Sequence, residues 1–243
     1  MKKNAFTLGE VLVTLAIVGF VAVMVIPGVI QNTHNRANVL LFRKTLNAIS
    51  VIVKKDAIEH NNKPSEMIVT NAPETFFSQL DIVSSKKNAT GSVNCFNIKN
   101  GNLSYNTLAG GAKTFSVTGL TTTLLKNGVC IGQNTHTDSD KVVLYIDING
   151  KDSPNMVGVD FFTSYMYIGQ SSTGWITAPG DFVGVLKIGS KLNSPDLTDE
   201  EREEWLETSK KECYNGGAEY CAEALIKSDW NPDYMKGYVP PKS

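Results

Sequence analysis

Residues 1–30 read MKKNAFTLGEVLVTLAIVGFVAVMVIPGVI. From Val11 to Ile30 there is no charged side chain, and a helix needs about 20 such residues to cross a bilayer. Lys2 and Lys3 precede the run, which places the N-terminus on the cytoplasmic side by the positive-inside rule. A cleaved secretory signal has a shorter apolar stretch ending at a small-x-small site; here QNTHNRANV follows, with no such site. The helical spacing then continues. Phe42, Leu46, Ile49, Val53 and Ala57 recur at intervals of 4, 3, 4 and 4 and form one apolar stripe. Leu41, Ala48 and Ile52 widen it, and Arg36, Lys44, Lys54 and Lys55 occupy much of the remaining surface. One helix is therefore predicted from Phe6 to Glu59, apolar on every side in its first half and amphipathic in its second. Asn61, Asn62 and Pro64 end it.

Glu10 stands at the mouth of the apolar run. A carboxylate at the bilayer centre costs on the order of 3 kcal/mol, and such groups are usually paired and functional. Glu10 lies nearer the interface, where it can snorkel, but no lysine or arginine follows it before Arg36. A partner can be made by cutting the chain. Cleavage between Ala5 and Phe6 removes MKKNA and leaves an α-amine on Phe6, one helical turn from Glu10 or within reach of the Glu10 of a neighbouring subunit.

KKNAFTLGEVLVTLAIVG resembles the type IV prepilin leader and N-methylation motif, in a family that includes type IV pilins and the pseudopilins of type II secretion. Phe6, Thr7, Leu8 and Glu10 match it; Ala5 stands where the family usually has glycine, and Gly9 where it usually has a large aliphatic residue. The resemblance implies that a prepilin peptidase cuts after Ala5 and methylates the amine of Phe6. It implies that Glu10 selects and registers subunits, and that an inner-membrane assembly platform builds them into a filament. Pro27 falls where pilin helices commonly carry a proline, and its missing N–H weakens the helix there.

The implied organisation is a leader over 1–5, a helix over 6–60 spanning the membrane at about 11–30, and a periplasmic head over 61–243. The fold class is α+β, a long helix packed on an antiparallel sheet in the manner of a pilin. Apolar content is 42%, enough for one sizeable core beside that helix. PETFFSQLDIVS (73–84) reads as a short helix, and KKNATGS (86–92) as a loop. VNCFNI, LSYNTL, KTFSVT, TTLLKNGVCIG, KVVLYIDI, VGVDFFTSYMYIG and FVGVLKIG read as strands. SPDLTDEEREEWLETSKKEC reads as a surface helix with a Thr198/Glu201 capping box, and CAEALIKSDW as a short helix ending on Trp230. Trp175 is expected to cap the sheet.

The segment YIDINGKDSPNMVGVDFF also resembles the pseudopilin branch, through Asp147, Asn149, Gly150, Pro154, Asn155, Gly158 and Asp160. Its chemistry is that of a turn: Asn149-Gly150 supplies left-handed backbone, and the Asx side chains bond the loop. Calcium is the competing reading, with Asp147, Asn149 and Asp152 as ligands, since some major pseudopilins bind calcium in the head. No glutamate follows at the EF-hand distance, and the turn reading is preferred.

Cys95, Cys130, Cys213 and Cys221 all follow the membrane segment, on the oxidising side, where an even count favours disulfides. The spacing of Cys213 and Cys221 suits a local loop through Gly216-Gly217, which leaves Cys95 to pair with Cys130 across neighbouring strands; two other connectivities stay open. Zinc is the rival, without a CxxC. His34, His60 and His136 are scattered and read as solvated. A net charge of −1 offers no basic surface for nucleic acid. No Ser-His-Asp order and no phosphate loop suggests an enzyme. The expected function is structural, as a filament subunit; the alternative is a single-pass anchored periplasmic binding module that never polymerises.

Overall fold

The computed structural model describes residues 8–61, 68, 73–86, 95–116, 118–135, 141–167, 185–187 and 198–238. The chain divides into two compact units, 1–37 and 38–243. Helix α1, Leu8–Glu59, runs through both.

In the first unit the stretch Leu8–Ile26 is long and apolar enough to span a bilayer, and none of it is buried. Its hydroxyl is satisfied within the helix: Thr14 Oγ1 donates to the Val11 carbonyl at 2.9 Å. Thr33 does the same to Val29 at 2.8 Å. Back-bonding of this kind lets a polar residue lie in an apolar helix without seeking water.

In the second unit the stripe on α1 is the buried face. Phe42, Ile49, Val53 and Ala57 are wholly buried and Leu46 nearly so, joined by Val39 and Ile52. Each large side chain removed from water contributes roughly 2 kcal/mol. α2 (Pro73–Phe76) and a 3-10 turn (Phe77–Gln79) bury Phe76 and Phe77. The predicted helix over 73–84 therefore stops early. Ile82–Lys86 forms strand β1 instead, pairing antiparallel with a neighbouring strand through Ile82, Ser84, Ser85 and Lys86, with Val83 at an irregularity in the register.

Among the described residues, nine strands, β1 (Ile82–Lys86), β2 (Ile98–Lys99), β3 (Asn102–Asn106), β4 (Ala112–Ser116), β5 (Thr121–Leu125), β6 (Cys130–Thr135), β7 (Lys141–Asp147), β8 (Phe161–Tyr167) and β9 (Val185–Lys187), make two sheets. One has six strands in the order β1-β5-β6-β7-β8-β9; the other has three, β2-β3-β4. All the ladders are antiparallel. TTLLKNGVCIG proves to be a hairpin rather than one strand, since Gly128 takes φ +90° between β5 and β6.

Register assigns the two faces of the large sheet. Leu144 lies opposite Ser164 and Ile146 opposite Phe162. Phe162 stacks on Phe42 of α1 at 4.2 Å, so this row faces the helix. Asp147 lies opposite Phe161, and Phe161 stacks on Tyr105 of β3 at 3.9 Å. The opposite face thus carries the three-stranded sheet. Helices α3 (Asp199–Tyr214) and α4 (Ala218–Lys227) form a hairpin whose second arm packs on β8. The Thr198/Glu201 capping box is formed. Helix α4 begins three residues ahead of the expected CAEALIKSDW. Asp199, Glu200 and Glu201 fill the first turn of α3, where the helix dipole favours them.

His60 is not solvated as expected. It is half-buried, with Nδ1 3.0 Å from Oδ1 of the buried Asp56. That same Oδ1 accepts from the Ile68 amide at 3.0 Å, so the end of α1 is tied to the chain that follows. His34 is exposed; His136 and Trp175 lie outside the described residues.

Candidate functional site

Two regions carry the residues that the sequence singles out. The first is the start of α1. Glu10 is exposed in the first turn of the helix, where a carboxylate is favoured by the dipole. Leu8, Leu12, Leu15 and the other apolar residues up to Ile26 expose half or more of their surface in most cases. A helix apolar on all sides is built to meet lipid or other helices, not one core face. Ala5 and Phe6 lie outside the described residues.

The second region is the connection from β7 to β8. Asp147 ends β7 and is fully buried. Its carboxylate accepts from the Tyr105 hydroxyl and from the Asn149 amide at 3.3 Å. Asn149 turns its side-chain amide inward along the loop, donating to the carbonyls of Asp152 and Ser153 at 3.0 and 3.1 Å. Gly150 takes φ +67°, as the Asn-Gly pair predicts. The carboxylate of Asp160, also fully buried, accepts from the amides of Asn155 and Met156 at 2.8 and 2.7 Å. The strand expected from Val157 therefore begins only at Phe161: Asp160 uses its side chain to hold a turn, and Gly158 bends the backbone at φ +83°.

This turn is a junction of four segments. The Asn106 amide at the end of β3 donates to the Asn155 carbonyl at 2.8 Å, and the Val157 amide returns a bond to Asn106 at 2.9 Å. The Ile148 amide donates to the Asp160 carbonyl at 2.8 Å. Tyr234, from the segment after α4, donates its hydroxyl to the Gly158 carbonyl at 3.0 Å. Tyr105 and Tyr234 were not legible as partners of the loop. They are distant in sequence, and a buried tyrosine carries no local signal of where its hydroxyl goes.

Of the three expected calcium ligands, Asp147 and Asn149 are brought together, while Asp152 is exposed. Among the described residues no three His, Cys, Asp or Glu side chains gather at metal-binding distance. The Asp147 carboxylate is engaged by two donors and Asn149 Nδ2 by two carbonyls, while the buried Asn149 Oδ1 has no hydrogen-bond partner. The hydrogen bonds within the loop are those of a turn. The expected result is a melting temperature for the full chain in detergent that is the same in millimolar calcium and in chelator. A rise in calcium that Asp147→Ala abolishes would overturn it.

Burial pushes the Asp147 carboxyl up to about 8; the Tyr105 bond opposes this, and the charge of Asp160 adds to it. Asp160 is also raised, chiefly by burial, against the pull of its two backbone amides. Tyr105 rises well above the phenol range, from burial and then from the charge of Asp147. The sign of the linkage follows. A carboxyl with a raised folded pKa holds its proton in the native state after the unfolded chain has lost it. Native protein then binds more protons, and stability falls as pH rises from about 4 to about 8. Asp147→Asn keeps an acceptor for Tyr105 without the titration. Relative to wild type, this variant should gain stability steadily across that window, by on the order of 2 kcal/mol or more at the upper end. Denaturant melts at pH 5 and pH 8 measure the difference; parallel curves would show that Asp147 does not titrate as stated.

Both disulfides are formed, Cys95–Cys130 and Cys213–Cys221, with Cα–Cα distances of 5.7 and 4.6 Å. Cys130 opens β6, but Cys95 precedes β2 rather than lying on a neighbouring strand. That bond ties the approach to the small sheet onto the large one. The second closes the α3–α4 hairpin, where the buried Glu223 also accepts from Trp205 Nε1 at 3.0 Å and from Ser209 Oγ at 3.4 Å. On the chain-entropy model each bond contributes about 2–4 kcal/mol. Comparison with protein-family models, with characterised proteins and with solved structures finds no match to this chain.

Proposed function

We propose that this chain is a pilin-like structural subunit, a pilin or pseudopilin, which is cut after Ala5, N-methylated on Phe6 and assembled through α1 into a filament. The observation that carries the proposal is the change of character along one unbroken helix. Up to Ile26 its apolar side chains are exposed on every side, and from Val39 onward one stripe is buried in a folded unit. A first half of that kind is stable in a bilayer and stable again among copies of itself, because both surroundings withhold water from it. Glu10 then supplies direction. Its carboxylate in an apolar setting attracts the new amine of Phe6 far more strongly than it would in water.

The two disulfides support a head on the oxidising side of the membrane, and Lys2 and Lys3 support a cytoplasmic N-terminus. The partners are a prepilin peptidase, other pilin or pseudopilin subunits and an inner-membrane assembly platform.

Intact-mass and N-terminal peptide measurements on the mature protein test the proposal. The expected species lacks residues 1–5 and carries one methyl group on Phe6. An N-terminus still beginning at Met1 in membrane-extracted protein would sink it.

A further inference from the structure

The solvent face of α1 beyond residue 37 has a composition that its own chain leaves uncovered. Among the described residues of the second unit, four large apolar side chains are conspicuously exposed, and three of them are on this helix: Leu40 at 59%, Val51 at 67% and Ile58 at 62%. They are 11 and 7 residues apart, three turns and two, so they fall on one line at 3.6 residues per turn. Scattered exposed apolar residues need no explanation, but a line does. Lys44, Lys54 and Lys55, all exposed, flank it within about 60° on either side. Next to this face is a groove of about 270 Å³ lined by Leu41, Ala48, Leu80 and Leu125 together with Lys44, Lys126 and Asp81, the last two paired at 3.5 Å.

Helix α3 presents the complement. Glu200, Glu203, Glu204 and Glu207 follow the i, i+3, i+4, i+7 pattern and are all exposed. They are not consumed by the fold of the helix. Its cap uses Glu201, and its inner side uses Trp205 and Ser209 on Glu223. Among the described residues, Glu207 alone of the four makes an ion pair on its own helix, with Lys210 at 2.7 Å.

We propose that the basic, apolar-centred face of α1 receives the acidic face of α3 from a second copy of this chain. Lysine and glutamate side chains pair along the flanks, while their methylene stems cover Leu40, Val51 and Ile58. Charge complementarity singles out this occupant, since one chain carries both halves. Because the two surfaces differ, the contact is head-to-tail: each added copy leaves a fresh acidic face at one end and a fresh basic face at the other. It deepens the proposed filament by naming a contact between heads, and it rests on self-assembly of the chain.

Heavy-isotope and unlabelled full chains are mixed in detergent at low salt and coupled with a carbodiimide, which joins lysine amines to carboxylates. Peptides linking Lys44, Lys54 or Lys55 of one isotope to Glu200, Glu203, Glu204 or Glu207 of the other are expected. They should fade in about 0.5 M salt, where charges are screened within a few ångströms. Lys44→Glu with Lys54→Glu and Lys55→Glu should lower the yield of associated species at least tenfold. Glu200→Lys with Glu203→Lys and Glu204→Lys should do the same, and both sets in one chain should restore it. The absence of mixed-isotope links in the wild type overturns the contact without reference to any variant. So does a loss that the combined reversal leaves unrepaired in a chain that still melts like the wild type. The two proposals separate: a processed Phe6 without these links retires only the head contact, and these links with an intact Met1 retire only the processing.

Discussion

If the chain is cut after Ala5 and assembles as proposed, Glu10→Gln is expected to leave the cleavage unchanged and to reduce incorporation into the filament at least tenfold. Glutamine keeps the size and the hydrogen-bonding carbonyl of glutamate and removes only the charge. In water that charge, about 4 Å from an amine, is worth on the order of 1 kcal/mol; in apolar surroundings the same pair is worth several times more. Processing is read from intact mass and incorporation from the ratio of filament to membrane pools. Equal incorporation of wild type and variant would retire the proposed role of Glu10, while leaving the cleavage prediction to its own measurement.

Gly158→Val is expected to destabilise the head by roughly 3–5 kcal/mol, through two causes that add. The backbone at Gly158 has φ +83°, a region that β-branched residues resist. A Cβ there would also stand 2.9 Å from Cys221 Sγ and from the Tyr234 hydroxyl, and 3.1 Å from Cys213 Sγ. The two sulfurs belong to one disulfide and cannot swing aside independently. Relief must come from moving the hairpin off β8 or from breaking the Tyr234 bond to the Gly158 carbonyl. Gly158→Ala should cost less than valine but more than Gly101→Ala, since Gly101 also has a positive φ yet has nothing within 4 Å. This three-way comparison separates the clash from the backbone term. Thermal unfolding of the full chain in detergent measures it; an order in which Gly101→Ala equals Gly158→Ala would remove the packing part of the explanation.

Local pattern reached some parts of this molecule and stopped at others. The stripe Phe42, Leu46, Ile49, Val53 and Ala57 was readable because a helix puts neighbours in sequence on one face, and the buried residues are those. The Thr198/Glu201 cap and the left-handed Gly150 were readable for the same reason, since cap and turn chemistry is completed within a few residues. In the carboxylate loop the sequence indicated a turn and named Asp147, Asn149 and Asp160. It could not show that Asp160 folds back on Asn155 and Met156 and so delays β8, because strand preference and side-chain capping compete there and the outcome depends on burial.

By itself, then, the sequence determined a continuous helix from the first apolar residues to Glu59, a β-rich remainder and four cysteines placed to form disulfides, all of them consequences of order and spacing along the chain; which cysteines pair was decided by the fold. Tertiary structure alone decided that Ile82–Lys86 leaves the predicted helix for the edge of the large sheet, and that Tyr105 reaches Asp147 across 42 residues. It also decided that Gly158 lies against the disulfide of the α3–α4 hairpin. Each of those outcomes rests on which surface happens to be near when a side chain loses water, and nearness between distant segments is created by packing.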